Sequence, residues 1–135
     1  MNDLKKEAER IVLAYARCAD ERRGADLVAL FTDDGVVDLG EKQLTGKAEL
    51  AAFYGGNKPV TDRTAPQRTK HFITNVVAES TGSDTASAQC YFQMFQPTGL
   101  AVWGRYLDDL VRTDGGWRIA RRTVVVDGTT TPPPA

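Results

Sequence analysis

The sequence predicts an α+β fold, a cone in which a strongly curved, mainly antiparallel sheet wraps around three N-terminal helices. Three observations point there. Apolar residues recur at helical spacing in the first part of the chain and alternate at strand spacing from Lys70 onward. Short turn signals (Thr81-Gly82-Ser83-Asp84, Pro97-Thr98-Gly99 and Asp114-Gly115-Gly116) divide the second half into long segments, as expected of antiparallel neighbours. Helices followed by a run of strands place the helices on one face of the sheet.

The first helix is expected over residues 3 to 23. Leu4, Ala8, Ile11, Val12, Tyr15, Cys18 and Ala19 form its apolar stripe, and Gly24 stops it. A second short helix spans 26 to 31, presenting Leu27, Leu30 and Phe31. Thr32-Asp33-Asp34-Gly35 then turns the chain into a strand over 36 to 39, with 43 and 44 as its hairpin partner. A third helix covers 47 to 54 and closes at Gly55-Gly56. Residues 57 to 69, polar and with two prolines, read as a loop, a lid or a cavity rim. Strands follow at 70–79, 85–96, 100–113 and 117–127. One domain therefore covers 1–127, and the Thr/Pro tail, 128–135, has nothing to bury and is expected to be disordered.

Composition removes several functions. The 135 residues are 41 % hydrophobic and 26 % charged with a net charge of -1, and no basic block is present, which argues against nucleic acid as partner. No apolar run reaches membrane-spanning length and the N-terminus lacks a signal-peptide core. Cys18 and Cys90, distant and in apolar surroundings, read as reduced buried thiols, so the expected compartment is the cytoplasm. One histidine and no metal-ligand spacing predict no metal site, and no phosphate loop or dinucleotide fingerprint is present; no cofactor is expected.

The chemistry concentrates at His71, the only histidine, and Asp20. A carboxylate that orients an imidazole makes a general base near neutral pH without metal or cofactor. Alternation puts His71, Ile73, Asn75 and Val77 on one face, with Asn75 below His71. Asp20 lies about 140° from the centre of the helix's apolar stripe, which alone would send it to solvent. Tyr15 sits at the centre of that stripe. Asp38 reads as an exposed alternating position, and Tyr106 and Asp108 share a strand face.

The set Tyr15-x4-Asp20, Leu27-x2-Leu30-Phe31-x2-Asp34, Gly46, His71-x3-Asn75, Gly104-Arg105-Tyr106-x-Asp108 and Gly116-Trp117-Arg118-Ile119-x2-Arg122 resembles the SnoaL-like branch of the nuclear-transport-factor-2-like superfamily, over roughly residues 5 to 127. The resemblance implies the same cone, often a homodimer through its outer sheet face. That superfamily includes scytalone dehydratase, bile-acid 7α-dehydratase, a lindane dehydrochlorinase, ketosteroid isomerases and polyketide cyclases. Asp20 and His71 match the dyad of the dehydratases and the dehydrochlorinase, and Tyr15 a tyrosine of the bile-acid enzymes' pocket. Phe92 stands where scytalone dehydratase has a second histidine. Asp38 falls near the aspartate base of ketosteroid isomerases, and Tyr106 near their protonated aspartate. Arg122 matches the family arginine, either paired with Asp108 or anchoring a substrate oxygen. The resemblance thus implies a cofactor-independent lyase of dehydratase type, or an isomerase, acting on a small apolar oxygenated molecule of polyketide, terpenoid or steroid type. A polyketide cyclase, or a non-catalytic binding module on the same cone, is the alternative.

Overall fold

The computed structural model describes residues 3–56 and 58–130. Three helices, α1 (Asp3–Asp20), α2 (Gly24–Val28) and α3 (Gly46–Tyr54), accompany six strands. The strands are β1 (Phe31–Asp38), β2 (Gln43–Thr45), β3 (Lys70–Ser80), β4 (Thr85–Gln96), β5 (Gly99–Thr113) and β6 (Gly116–Thr129). They form one open sheet in the order β2-β1-β6-β5-β4-β3, antiparallel except where β1 runs parallel to β6. The predicted α+β cone is the observed fold.

The apolar stripe of α1 is buried as its spacing requires: Ala8, Ile11, Val12 and Tyr15 meet Cys90, Phe92, Tyr106 and Ile119 from the sheet. The helix ends three residues earlier than expected. Arg22 adopts a left-handed backbone (φ 58°), and the amides of Arg22 and Arg23 return to the carbonyls of Ala19 (3.3 Å) and Cys18 (2.8 Å). This double closure satisfies the last carbonyls, and an arginine occupies the place usually taken by glycine. Gly24 instead opens α2, where it lets two helices touch: a Cβ there would lie 2.5 Å from the Tyr54 carbonyl oxygen.

Two expected boundaries move. Phe31, assigned by its spacing to the second helix, begins β1 and is fully buried, because the Leu30 carbonyl accepts the Ile119 amide and starts the parallel pairing. Residues 32–35 do not end in a turn before the strand; they form an irregularity within it, between the Phe31–Ile119 and Val36–Arg121 pairs. At the other end, β6 runs through Thr129, and the Thr130 amide bonds the Ala101 carbonyl (3.0 Å). Residues 128–130 of the presumed disordered tail therefore belong to the sheet's rim, and 131–135 lie outside the described residues.

The register also shifts inside β3, between Thr74 and Val77, where Asn75 is left-handed (φ 58°). Alternation flips there: Val76 and Ala78 take the covered side, while Asn75 and Val77 are exposed. A bulge on this edge strand also interrupts the row of free backbone groups that would invite another strand. Cys18 and Cys90 are buried free thiols. Among the described residues no helix is long and apolar enough to cross a membrane.

Candidate active site

Asp20 is the final residue of α1 and His71 the second of β3, and the packing of β3 along α1 brings them together. The ring Nδ1 of His71 is 2.6 Å from Asp20 Oδ1, and the His71 backbone amide donates to both carboxylate oxygens at 3.1 and 3.0 Å. Both side chains are largely covered, 15 % and 12 % exposed. A carboxylate accepts only, so Nδ1 carries the proton of this bond, and in the neutral ring Nε2 is left with the lone pair. The helical wheel misplaces Asp20 because it measures direction against the helix's own stripe. β3 extends beside the helix end and meets the carboxylate there.

A cavity of about 310 Å³ lies against the pair, lined by Leu13, Ala16, Arg17, Asp20, Glu21, Gln67, Lys70 and His71. Its lining is mixed, charged and polar groups beside Leu13 and Ala16, and Tyr15 is not among the lining residues.

Tyr15 belongs to a second cluster, in the interior. Its hydroxyl lies 2.7 Å from that of Tyr54, and its ring packs edge-on against Phe31, Tyr54 and Tyr106. Tyr106 stacks on Phe92 with centroids 4.5 Å apart. Arg122, fully buried, lies 4.3 Å from the Tyr15 ring centre and 4.0 Å from that of Tyr106. Nε and Nη2 of Arg122 donate to the two Asp108 oxygens, each at 2.7 Å, while Nη1 has no hydrogen-bond partner among the described residues.

Burial raises the pKa of Tyr15, Tyr54 and Tyr106 above the ordinary phenol value, since an apolar interior disfavours the phenolate. All three are therefore neutral hydrogen-bonding groups. Burial pulls the Arg122 pKa down, but the Asp108 carboxylate beside it outweighs this and leaves it raised. Burial pushes the Cys90 thiol up to about 11.

The remaining sequence candidates divide. Asp108 and Arg122 pair, one of the two alternatives expected for that arginine. Asn75 is carried to the exposed side by the bulge and does not lie below His71. Asp38 is bound by Arg121 (2.9 Å) and by the Gly40 amide (2.9 Å), and alternates with buried Val37, so it faces away from the Tyr15 cluster. Tyr54, placed only as a helix end by the sequence, is an unanticipated member of the interior cluster. Its single signal was an aromatic with a polar tip beside a helix-ending glycine pair.

Comparison with known proteins agrees with this architecture. The SnoaL-like domain family matches residues 3–123. The chain belongs to that family. Among solved structures it is similar to a candidate scytalone dehydratase from Novosphingobium aromaticivorans (TM-score 0.78, 22 % identity, covering 96 % of this chain and 88 % of that one). It is also similar to a ketosteroid isomerase-like protein from Erwinia carotovora atroseptica (TM-score 0.70, 22 % identity, 95 % and 99 % covered). A third is a Nostoc punctiforme protein of unknown function with a cystatin-like fold (TM-score 0.77, 19 % identity, 91 % and 90 % covered). No curated protein matches the sequence. At these identities the structural likeness establishes the fold, and the fold's relatives span dehydratase-named and isomerase-like proteins.

Proposed function

We propose that this SnoaL-like protein is a cofactor-independent acid-base enzyme, a dehydratase-type lyase or an isomerase, with His71 as general base and Asp20 as its orienting carboxylate. The observation that carries the proposal is the 2.6 Å contact between Nδ1 and Asp20, reinforced by the His71 amide on the same carboxylate. With Nδ1 occupied, Nε2 removes a proton adjacent to a carbonyl or similar activating group. Asp20 balances the positive charge that develops on the ring. In a dehydration the imidazolium then returns that proton to the leaving hydroxide, giving water and a double bond. One group serves both steps, since Phe92 cannot move a proton.

Tyr15 is the proposed donor to the oxygen that gains charge, with Tyr106 as the second candidate; both lie in the interior cluster and not in the lining of the cavity beside the dyad, so the role requires a substrate that reaches from His71 into that cluster. Asp108 and Arg122 hold the floor of this cluster. The proposed substrate is a small, largely apolar oxygenated molecule of polyketide, terpenoid or steroid type, and cyclisation of a poly-ketone would use the same groups. An isomerase based on Asp38 and Tyr15 is the weaker form, because Asp38 is tied to Arg121 on the other face. We further propose a homodimer through the outer sheet face, where Phe72, Tyr91 and Trp103 are exposed, and a cytoplasmic location.

The test is His71→Ala against a substrate identified by native mass spectrometry of the purified protein. Turnover falls by about 10²–10⁴-fold while ligand binding persists. A protein that binds the ligand without converting it, and equally well with alanine at 71, is a binding module instead.

A further inference from the structure

We propose that residues 58–69 form a latched lid over the cavity beside Asp20 and His71, released when the Val60 amide leaves the Glu21 carbonyl. The inference stands on the geometry of the segment and holds whether or not the dyad is catalytic.

Four observations support it. Among the described residues, the Val60–Glu21 bond (3.0 Å) is the one main-chain hydrogen bond joining this segment to the rest of the protein. The segment lies lightly on the surface, for only Val60, Ala65 and Thr69 are partly covered. Its tip is braced internally: Asp62 accepts from the Thr64 amide (2.9 Å) and hydroxyl (2.8 Å), and the Ala65 amide bonds the Asp62 carbonyl (3.1 Å). A braced tip moves as a unit. Finally, the segment forms one wall of a second cavity of about 330 Å³ through Val60, Asp62, Arg63, Ala65 and Gln67, and reaches the cavity of the dyad through Gln67; the two cavities share Arg17, Glu21 and Gln67. Releasing Val60 joins the two spaces and opens a path to His71 along α1.

The hinge is placed by chemistry at Gly55-Gly56. A Cβ on Gly56 would meet nothing within 4 Å, so the glycine is there without a packing need. Glycine's backbone freedom is what a hinge requires. A single neutral hydrogen bond biases such an equilibrium by about threefold to tenfold, enough to favour the closed form while leaving opening frequent.

Because His71 is the only histidine, its carbethoxylation by diethyl pyrocarbonate, followed at 240 nm, reports access to this cavity alone. Val60→Pro removes the latch donor and should raise the modification rate about threefold to tenfold, with faster hydrogen exchange over 61–69 and an unchanged near-ultraviolet spectrum. Gly56→Ala, which stiffens the hinge without a clash, should lower the rate. The proposal is overturned if a folded Val60→Pro variant is modified at the wild-type rate. Should that variant not fold, an unchanged rate in Gly56→Ala overturns it equally.

Discussion

Both oxygens of the Asp20 carboxylate are engaged by one residue, His71, and this local fact organises the chemistry. Replacing Asp20 by asparagine keeps the shape but removes the charge and lets the ring adopt either tautomer, so turnover should drop by at least about tenfold with little loss of stability. The buried pair inside the cone behaves differently. Arg122→Met leaves the Asp108 carboxylate buried without its cation, and the loss should be about 3–5 kcal/mol in urea unfolding. An Arg122→Met, Asp108→Leu double variant should recover much of that loss. A double variant no more stable than the single one would show that the pair does more than neutralise its own charge. The Asp108–Arg122 pairing was one of the two roles that the resemblance implied for Arg122; the lack of a partner for Nη1 among the described residues was not legible, because no sequence pattern shows which donor of a fork lacks an acceptor.

At the scale of elements, periodicity revealed which segments are helices and strands but not where regularity breaks. Alternation placed Asn75 beneath His71, and one extra residue in β3 moved it to solvent. Bulges have no period, so the pattern carries on through them in the sequence alone. The end of α1 is a similar case: Gly24 looked like the stop, whereas Arg22 took the left-handed position. That conformation costs a side-chain-bearing residue about 1 kcal/mol. Arg22→Gly should therefore raise the urea midpoint, by about 0.5–1 kcal/mol in stability; a lowered midpoint would mean that the Arg22 side chain itself contributes. Tyr54 went unassigned because its partner Tyr15 lies 39 residues away, and contacts of that range follow from the tertiary fold.

For the whole molecule, the interior tyrosines predict how the fold answers to pH. In the unfolded chain a tyrosine releases its proton near pH 10, whereas Tyr15, Tyr54 and Tyr106 hold theirs to higher pH when folded. Above pH 10 the unfolded state thus binds fewer protons than the native one, and stability falls as pH rises. Cys90 acts in the same sense, from its ordinary value near 9.0 up to about 11. Urea midpoints should be level below about pH 8.5 and decline steadily toward pH 11. The outer sheet face makes a second prediction at this scale. If Phe72, Tyr91 and Trp103 form the dimer interface, Trp103→Glu should convert a dimer in light scattering to a monomer, and a wild-type monomer at micromolar concentration would remove the interface.

The dyad itself is tested most directly by the imidazole spectrum of the single histidine. In a ¹⁵N-labelled sample at a pH where the ring is neutral, two-bond ¹⁵N–¹H correlation should show the His71 proton on Nδ1 and not on Nε2, and Asp20→Asn should abolish that preference. A wild-type ring protonated at Nε2, or averaging between tautomers as a free imidazole does, would contradict the account.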